Sequence, residues 1–222
     1  DLDKTSRSRI VSAVGEKLLN KGFGHRLTKR IVGEVYTFPN EKKGTELHEA
    51  KEFATLLNST ARYGECKVGL EVCLGDRDKF LKQALDLLRG HRSNLVEGLQ
   101  FAKEEGITKR EHIQWFHAKN GIRDTIVGIV TNMLLNDGEI DRNLPLIGFA
   151  YKNEKETKAS ARASQSLVDQ GLNLSKAMNH AAKKLDGVGG GHNIAAGATI
   201  PKGKEEEFLE LLEQEIKEQI SF

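Results

Sequence analysis

Four glycines within five positions constrain this chain more than any other local feature. They are Gly187, Gly189, Gly190 and Gly191, and they run into His192-Asn193-Ile194-Ala195-Ala196-Gly197-Ala198. Such a run loses the most conformational entropy on folding, so it is tolerated where backbone takes positive φ or passes very close to something. Two readings satisfy this. Successive bare N–H groups can form an anion-binding nest, with His192 beside it as a hydrogen-bond donor to phosphate. The same composition also describes a flexible loop between a helix and a strand, and the residues alone leave both open. The spacing is not a G-x-G-x-x-G entering a long helix, and no Lys-Ser/Thr follows, so dinucleotide and P-loop readings are excluded.

The flanking pattern predicts the elements that carry this run. Residues 6–19 place Ile10, Val11, Val14, Leu18 and Leu19 at helical spacing, stopped by Lys21-Gly22-Phe23-Gly24. Residues 31–38 read as a strand, and Thr45 is a candidate cap for a helix over 45–57. A long helix is expected over 78–105, capped by Asp78, with Gly90 as an interruption. Beyond Gly106 the texture changes. Strands are expected at 112–117, 144–151, 157–163 and 197–201. Helices are expected after Asp124, over 172–184 and over 204–220. The fold class is α/β, with α+β as the alternative: a helix-rich N-terminal segment over 1–106 with a short strand, then a mixed-sheet domain with flanking helices over 107–222.

Charge excludes the extremes. The 34 Lys and Arg against 32 Asp and Glu leave +2, neither a strongly basic nucleic-acid glove nor an acidic disordered chain. The balance is uneven, however. Residues 141–200 hold eight basic and five acidic side chains, and residues 201–222 hold three and seven. The longest apolar stretch, 126–135, is about half of the roughly 20 residues that a membrane span needs. Two cysteines without C-x-x-C spacing point to neither a disulfide framework nor zinc, so a reduced, cytoplasmic protein is expected. Cys73, between Val72 and Leu74, reads as a core thiol.

Other candidate contacts are more diffuse. If 157–163 is a strand, Lys158, Ser160, Arg162 and Ser164 share one face, a row of cations and hydroxyls that suits phosphate. Taken alone, the row reads more simply as a solvated face. Asn58 and Arg62, four apart on a helix, can hold a phosphate or carboxylate together. Asp76 and Asp78 flank Arg77 and suit a helix-capping loop better than a metal site. The seven histidines (His25, His48, His91, His112, His117, His180 and His192) show no metal spacing on a helix. Trp115 and Phe116 read as core aromatics.

Together, Gly189-Gly190-Gly191-His192 with Ala195-Ala196-Gly197, the Ser160-x-Arg162 strand, and the segment from Asn58 to Arg62 resemble the C-terminal part of RecJ-like single-strand-specific exonucleases. These belong to the DHH phosphoesterase superfamily, and the glycine run resembles the signature of its DHH-associated domain. Val72-Cys73-Leu74-Gly75-Asp76 and Gly121 with Ile126-Val127-Gly128-Ile129 look most like the archaeal branch. Ser59-Thr60-Ala61 departs from the Ala-x-Gly common in the family.

The resemblance implies that residues 1–106 connect two domains and that 107–222 grip single-stranded nucleic acid in DNA repair or replication. Its phosphate-binding residues would be Gly189, Gly190, Gly191, His192, Asn193, Ala196, Gly197, Ser160, Arg162, Asn58 and Arg62. Two metal ions, Mn²⁺ or Mg²⁺, would be held by an N-terminal Asp-His-His domain. No Asp-His-His is present; Asp1-Leu2-Asp3 and Asp76-Arg77-Asp78 have only bare D-x-D spacing. The chain is therefore expected to carry no catalytic or metal-ligating residues and to be inactive alone. Two alternatives stay open under the same resemblance. One is a phosphodiesterase for short oligoribonucleotides or cyclic dinucleotides. The other is a non-catalytic scaffold associated with GINS replication proteins.

Overall fold

A computed structural model describes residues 2–20, 24, 28, 31–138 and 140–220. Two compact units divide the chain at Leu57 and Asn58. Asp1, the stop at residues 21–23 and His25 lie outside the described residues.

In the first unit, helix α1 spans Lys4–Asn20, and the Asp3 carboxylate accepts from the Ser6 amide at 2.7 Å before its first turn. The strand expected over 31–38 does not form. Among the described residues this segment makes one isolated bridge, Thr37 to Glu49, and Val32, Val35 and Tyr36 stand exposed. β-branched composition makes a strand only where a neighbouring strand supplies a ladder. Helix α2, Ala50–Arg62, begins five residues later than Thr45. The Thr45 hydroxyl donates to Lys42 O, and its carbonyl accepts from His48 N, so Thr45 serves a turn instead of a cap.

The second unit opens with the end of α2 and with α3, Cys66–Cys73, a short helix that the sequence reading missed. Its buried stripe is Val68, Gly69 and Val72, which leaves both cysteines exposed. The core-thiol reading of Cys73 is thus corrected: apolar neighbours in sequence are not neighbours on a helix face. Helix α4, Lys79–Glu105, runs through Gly90 without a break. Its start is held by Asp76, whose Oδ1 accepts from the amides of Asp78, Phe80 and Leu81, not by Asp78 as expected.

A six-stranded mixed sheet follows, built from β1 (Thr108–Lys109), β2 (Gln114–His117), β3 (Leu146–Tyr151), β4 (Glu156–Arg162), β5 (Val188–Gly191) and β6 (Ala195–Pro201). Its order is β1-β2-β3-β4-β6-β5, parallel only between β2 and β3. Helix α5, Val127–Leu135, links the parallel pair. Short α6, Gln165–Asp169, is capped by the Ser164 hydroxyl accepting from Leu167 N. Helices α7, Leu174–Lys184, and α8, Glu205–Gln219, complete the chain.

Strand alternation sorts two cores onto opposite faces. Ile147 and Phe149 of β3, Ala159 and Ala161 of β4, and Ala196, Ala198 and Ile200 of β6 pack with Met178 of α7 and with Phe208 and Leu212 of α8. On the other face Phe116, Leu146 and Ala150 pack with Val127, Val130 and Leu134 of α5 and with Ala102 of α4. The fold is mixed α/β, as expected. Across β6 and β5, cleft-lining residues replace the apolar cover that α5 supplies to β2 and β3. No helix among the described residues is long and apolar enough to cross a membrane.

Candidate functional site

The uncovered part of that face holds a cleft of about 740 Å³. Strand β4 buries Thr157, Ala159 and Ala161 on one face and so presents Lys158, Ser160 and Arg162 on the other. In the register, Thr199 lies beside Lys158, Gly197 beside Ser160 and Ala195 beside Arg162, and Gly190 follows beside Gly197. The floor beyond β4 is therefore nearly free of side chains. Asn58, Ala61 and Arg62 at the end of α2 line the same cleft, with Asp124, Thr125, Gly128, Ile129 and Lys152.

Four cations, Arg62, Lys152, Lys158 and Arg162, line this space against one carboxylate, Asp124. Arg62 is aimed by a hydrogen bond from Nη1 to Thr125 O at 2.5 Å, and Arg162 by one from Nη1 to Ala161 O at 2.8 Å. Burial pushes the Arg162 guanidinium below its ordinary range, and the nearby Arg62 charge adds to this. Lys158 is lowered too, mainly by burial and further by Lys152 and Arg162, while Asp124 partly restores it. Cations held close together and partly desolvated are disfavoured, and an anion among them relieves both costs.

Gly128 makes room for this cluster. A Cβ there would lie 2.8 Å from Arg162 Nη2 and 3.1 Å from Ser160 Oγ. The glycine run is an edge strand, not a flexible loop. Reciprocal backbone bonds between His192 and Ala195, at 2.8 and 3.3 Å, close the β5–β6 hairpin. Hydrogen-bonded pairs alternate along an antiparallel ladder, so Gly190 faces β6 while Gly189 and Gly191 turn their peptide groups outward. The Gly189 carbonyl accordingly accepts from Asn179 Nδ2 at 2.7 Å. Gly190 and Gly191 have φ of 156° and 143°, values that favour glycine.

Of the residues singled out from sequence, Asn58, Arg62, Ser160, Arg162, Gly190, Gly191, Ala196 and Gly197 come together in the cleft lining. Gly189, His192 and Asn193 are not part of it. Gly189 backs onto α7, where a Cβ would come within 2.4 Å of Met178 O. His192 and Asn193 sit exposed in the hairpin turn, and the Asn193 carbonyl accepts from Leu174 N. Ser164 leaves the row to cap α6. Sequence reasoning missed Lys152, Asp124, Thr125, Gly128 and Thr199 as site residues. Thr199 was within reach, since it alternates with Gly197, and so was Gly128, a lone glycine inside an apolar helical run. The helix expected after Asp124 starts after Ile126 with no side-chain cap, so Asp124 does not cap it. Among the described residues no group of three or more His, Cys, Asp or Glu side chains could hold a metal ion.

Residues 112–218 match the DHHA1 domain family. An uncharacterized protein of Methanocaldococcus jannaschii is 31% identical over 219 residues, which span 99% of this chain and 44% of that protein. This chain thus spans less than half the length of that curated relative. RecJ from Thermus thermophilus, solved in complex with Mn²⁺, superposes with a TM-score of 0.60 at 18% identity, covering 76% of this chain and 24% of that one. Exonuclease RecJ bound to manganese superposes with a TM-score of 0.58 at 19% identity, covering 75% and 40%. At these identities the likeness is one of fold.

Proposed function

We propose that this chain, whose residues 112–218 match the DHHA1 domain family, is the substrate-gripping portion of a RecJ-like, metal-dependent exonuclease of the DHH superfamily acting on single-stranded nucleic acid. The carrying observation is the cleft itself. Arg62, Lys158, Arg162 and Ser160 line one space beside a floor of glycine backbone, with a single carboxylate among the lining residues. Guanidinium and ammonium groups at a bare backbone floor suit a phosphodiester, whose charge they neutralise and whose oxygens accept their hydrogen bonds. Asn58 and Thr199 add neutral donors to the lining, and His192 lies next to Gly191 in the hairpin turn, outside it.

Residues 1–106 serve in this reading as the connection to a catalytic domain and 107–222 as the gripping domain. The described residues do not fit a two-metal centre, so no chemical step is assigned to this chain. Its part is to hold the strand in register for hydrolysis carried out on ligands outside it. The long helix α4 exposes one large apolar side chain among the described residues, Val96. A scaffold that docks proteins through α4 would need a broader apolar patch.

Equilibrium binding of fluorescent single-stranded oligonucleotides tests the reading. Arg162→Ala is expected to weaken binding at least about tenfold and to lower the salt slope by roughly 0.7, one phosphate contact. Wild-type chain that binds no strand would overturn the reading. Binding of dinucleotides as tight as that of longer strands would favour the short-substrate alternative. With Mn²⁺ added, the chain alone is expected to leave the strand intact, and hydrolysis abolished by His192→Ala would refute that division of labour.

A further inference from the structure

The outer flank of α7 carries a second set of cations that the cleft does not use. Lys176, Lys183 and Lys184 are exposed and line a groove of about 430 Å³ with Asn179 and His180. Spacings of seven and eight residues put Lys183 and Lys184 two turns beyond Lys176 on the same side, about 10–12 Å along the axis. None of the three lysines makes an ion pair among the described residues. His180 lies 3.2 Å from Glu215 of α8.

One lining residue of the groove reaches the edge strand of the sheet. Asn179, in the groove, donates to the carbonyl of Gly189, and Gly190 and Gly191 of that same strand line the cleft. The groove and the cleft lie on opposite faces of the sheet and both adjoin β5, and between Gly189 and Gly191 that edge bears no side chain to block passage. Charge also steers away from the alternative path. Helix α8 exposes Glu206, Glu207, Glu210 and Glu218, so a polyanion is repelled there and attracted along α7.

We propose that single-stranded nucleic acid held in the cleft crosses the β5 edge and continues along α7, with Lys176, Lys183 and Lys184 as a second phosphate-contacting surface. The inference rests on the reading of the cleft as a phosphate-gripping site. It makes α7 an electrostatic track that lengthens the grip by a few nucleotides and reads no base sequence.

The test compares a dinucleotide with a strand of about 12 nucleotides, within the range that single-strand grooves accommodate, over a series of salt concentrations. Lys176→Ala, Lys183→Ala and Lys184→Ala combined are expected to lower the salt slope for the long strand by about 2, at roughly 0.7 per lost contact. Dinucleotide binding is expected to stay unchanged. The corresponding triple arginine variant is expected to keep the wild-type slope. All three positions are exposed, so equal thermal midpoints for the variants separate loss of contact from loss of fold. Long-strand binding by wild type with an unaltered slope in the alanine variant overturns the inference and spares the cleft. Failure of wild type to bind either ligand overturns the cleft reading, and the track with it.

Discussion

Gly128→Ala separates the job of a residue from its contact with ligand. Gly128 occupies the second position of α5, and an added methyl carbon would approach Arg162 Nη2 to 2.8 Å and Ser160 Oγ to 3.1 Å. Both neighbours are ends of side chains, so they move aside cheaply and the backbone stays in place. Alanine also improves helix propensity over glycine by up to about 1 kcal/mol. The fold is therefore expected to be as stable as wild type or slightly more so. The guanidinium, however, must leave the position from which it reaches the cleft. One charge-assisted hydrogen bond contributes about 1.5–3 kcal/mol, which corresponds to roughly ten- to a hundredfold in affinity. Fluorescence anisotropy with a labelled single strand, and urea unfolding of the same preparation, measure the two effects side by side. Opposite signs are expected: weaker binding with an equal or higher unfolding midpoint. Unchanged affinity would refute the claim that Gly128 clears space for Arg162. A parallel loss of stability would refute the claim that only side-chain ends are displaced.

Two further outcomes follow from the charges. Lys158→Met keeps an apolar stem of similar length but removes a charge that burial disfavours. It is expected to leave the unfolding midpoint unchanged or higher while weakening strand binding roughly tenfold, and a lowered midpoint would show that the ammonium stabilises the fold. His91 and His117 are both held below their ordinary value of 6.5, chiefly by burial. The unfolded chain therefore takes up protons first as pH falls, and the stability present above pH 6.5 is lost progressively below it. Urea midpoints between about pH 7.5 and 5.5, a range where exposed carboxylates remain ionised, are expected to decline and to flatten in His117→Gln. A midpoint independent of pH would contradict the assigned burial.

Much of the architecture was legible in the chain because it rests on periodicity. The stripe Phe208, Leu212 and Ile216 could only be one face of a helix, and the alternation through Ala159, Ser160, Ala161 and Arg162 sorts side chains before any partner strand is known. Segment 31–38 failed for the complementary reason. Val32, Val35 and Tyr36 have strand-forming side chains, but a strand exists only as part of a ladder, and pairing is a property of distant residues. Cys73 failed because burial on a short helix follows angle around the axis, not the hydrophobicity of adjacent residues.

The site divides in the same way. Sequence alone determined which residues could meet a phosphate: the glycine run, Ser160 with Arg162, and Asn58 with Arg62, each a local pattern with a local physical reason. Only the tertiary structure decided that these three patterns line one cleft, because the sheet order sets β6 and β5 beside β4 and Arg62 at the end of α2 reaches Thr125 O, 63 positions away. It also decided that Gly189 serves packing against α7 while Gly190 and Gly191 serve the cleft, a distinction set by the hairpin's hydrogen-bond alternation. Lys152 and Asp124 joined the site for the same reason. Nothing about their own neighbours in sequence marks them, and their role comes from what the fold sets against them.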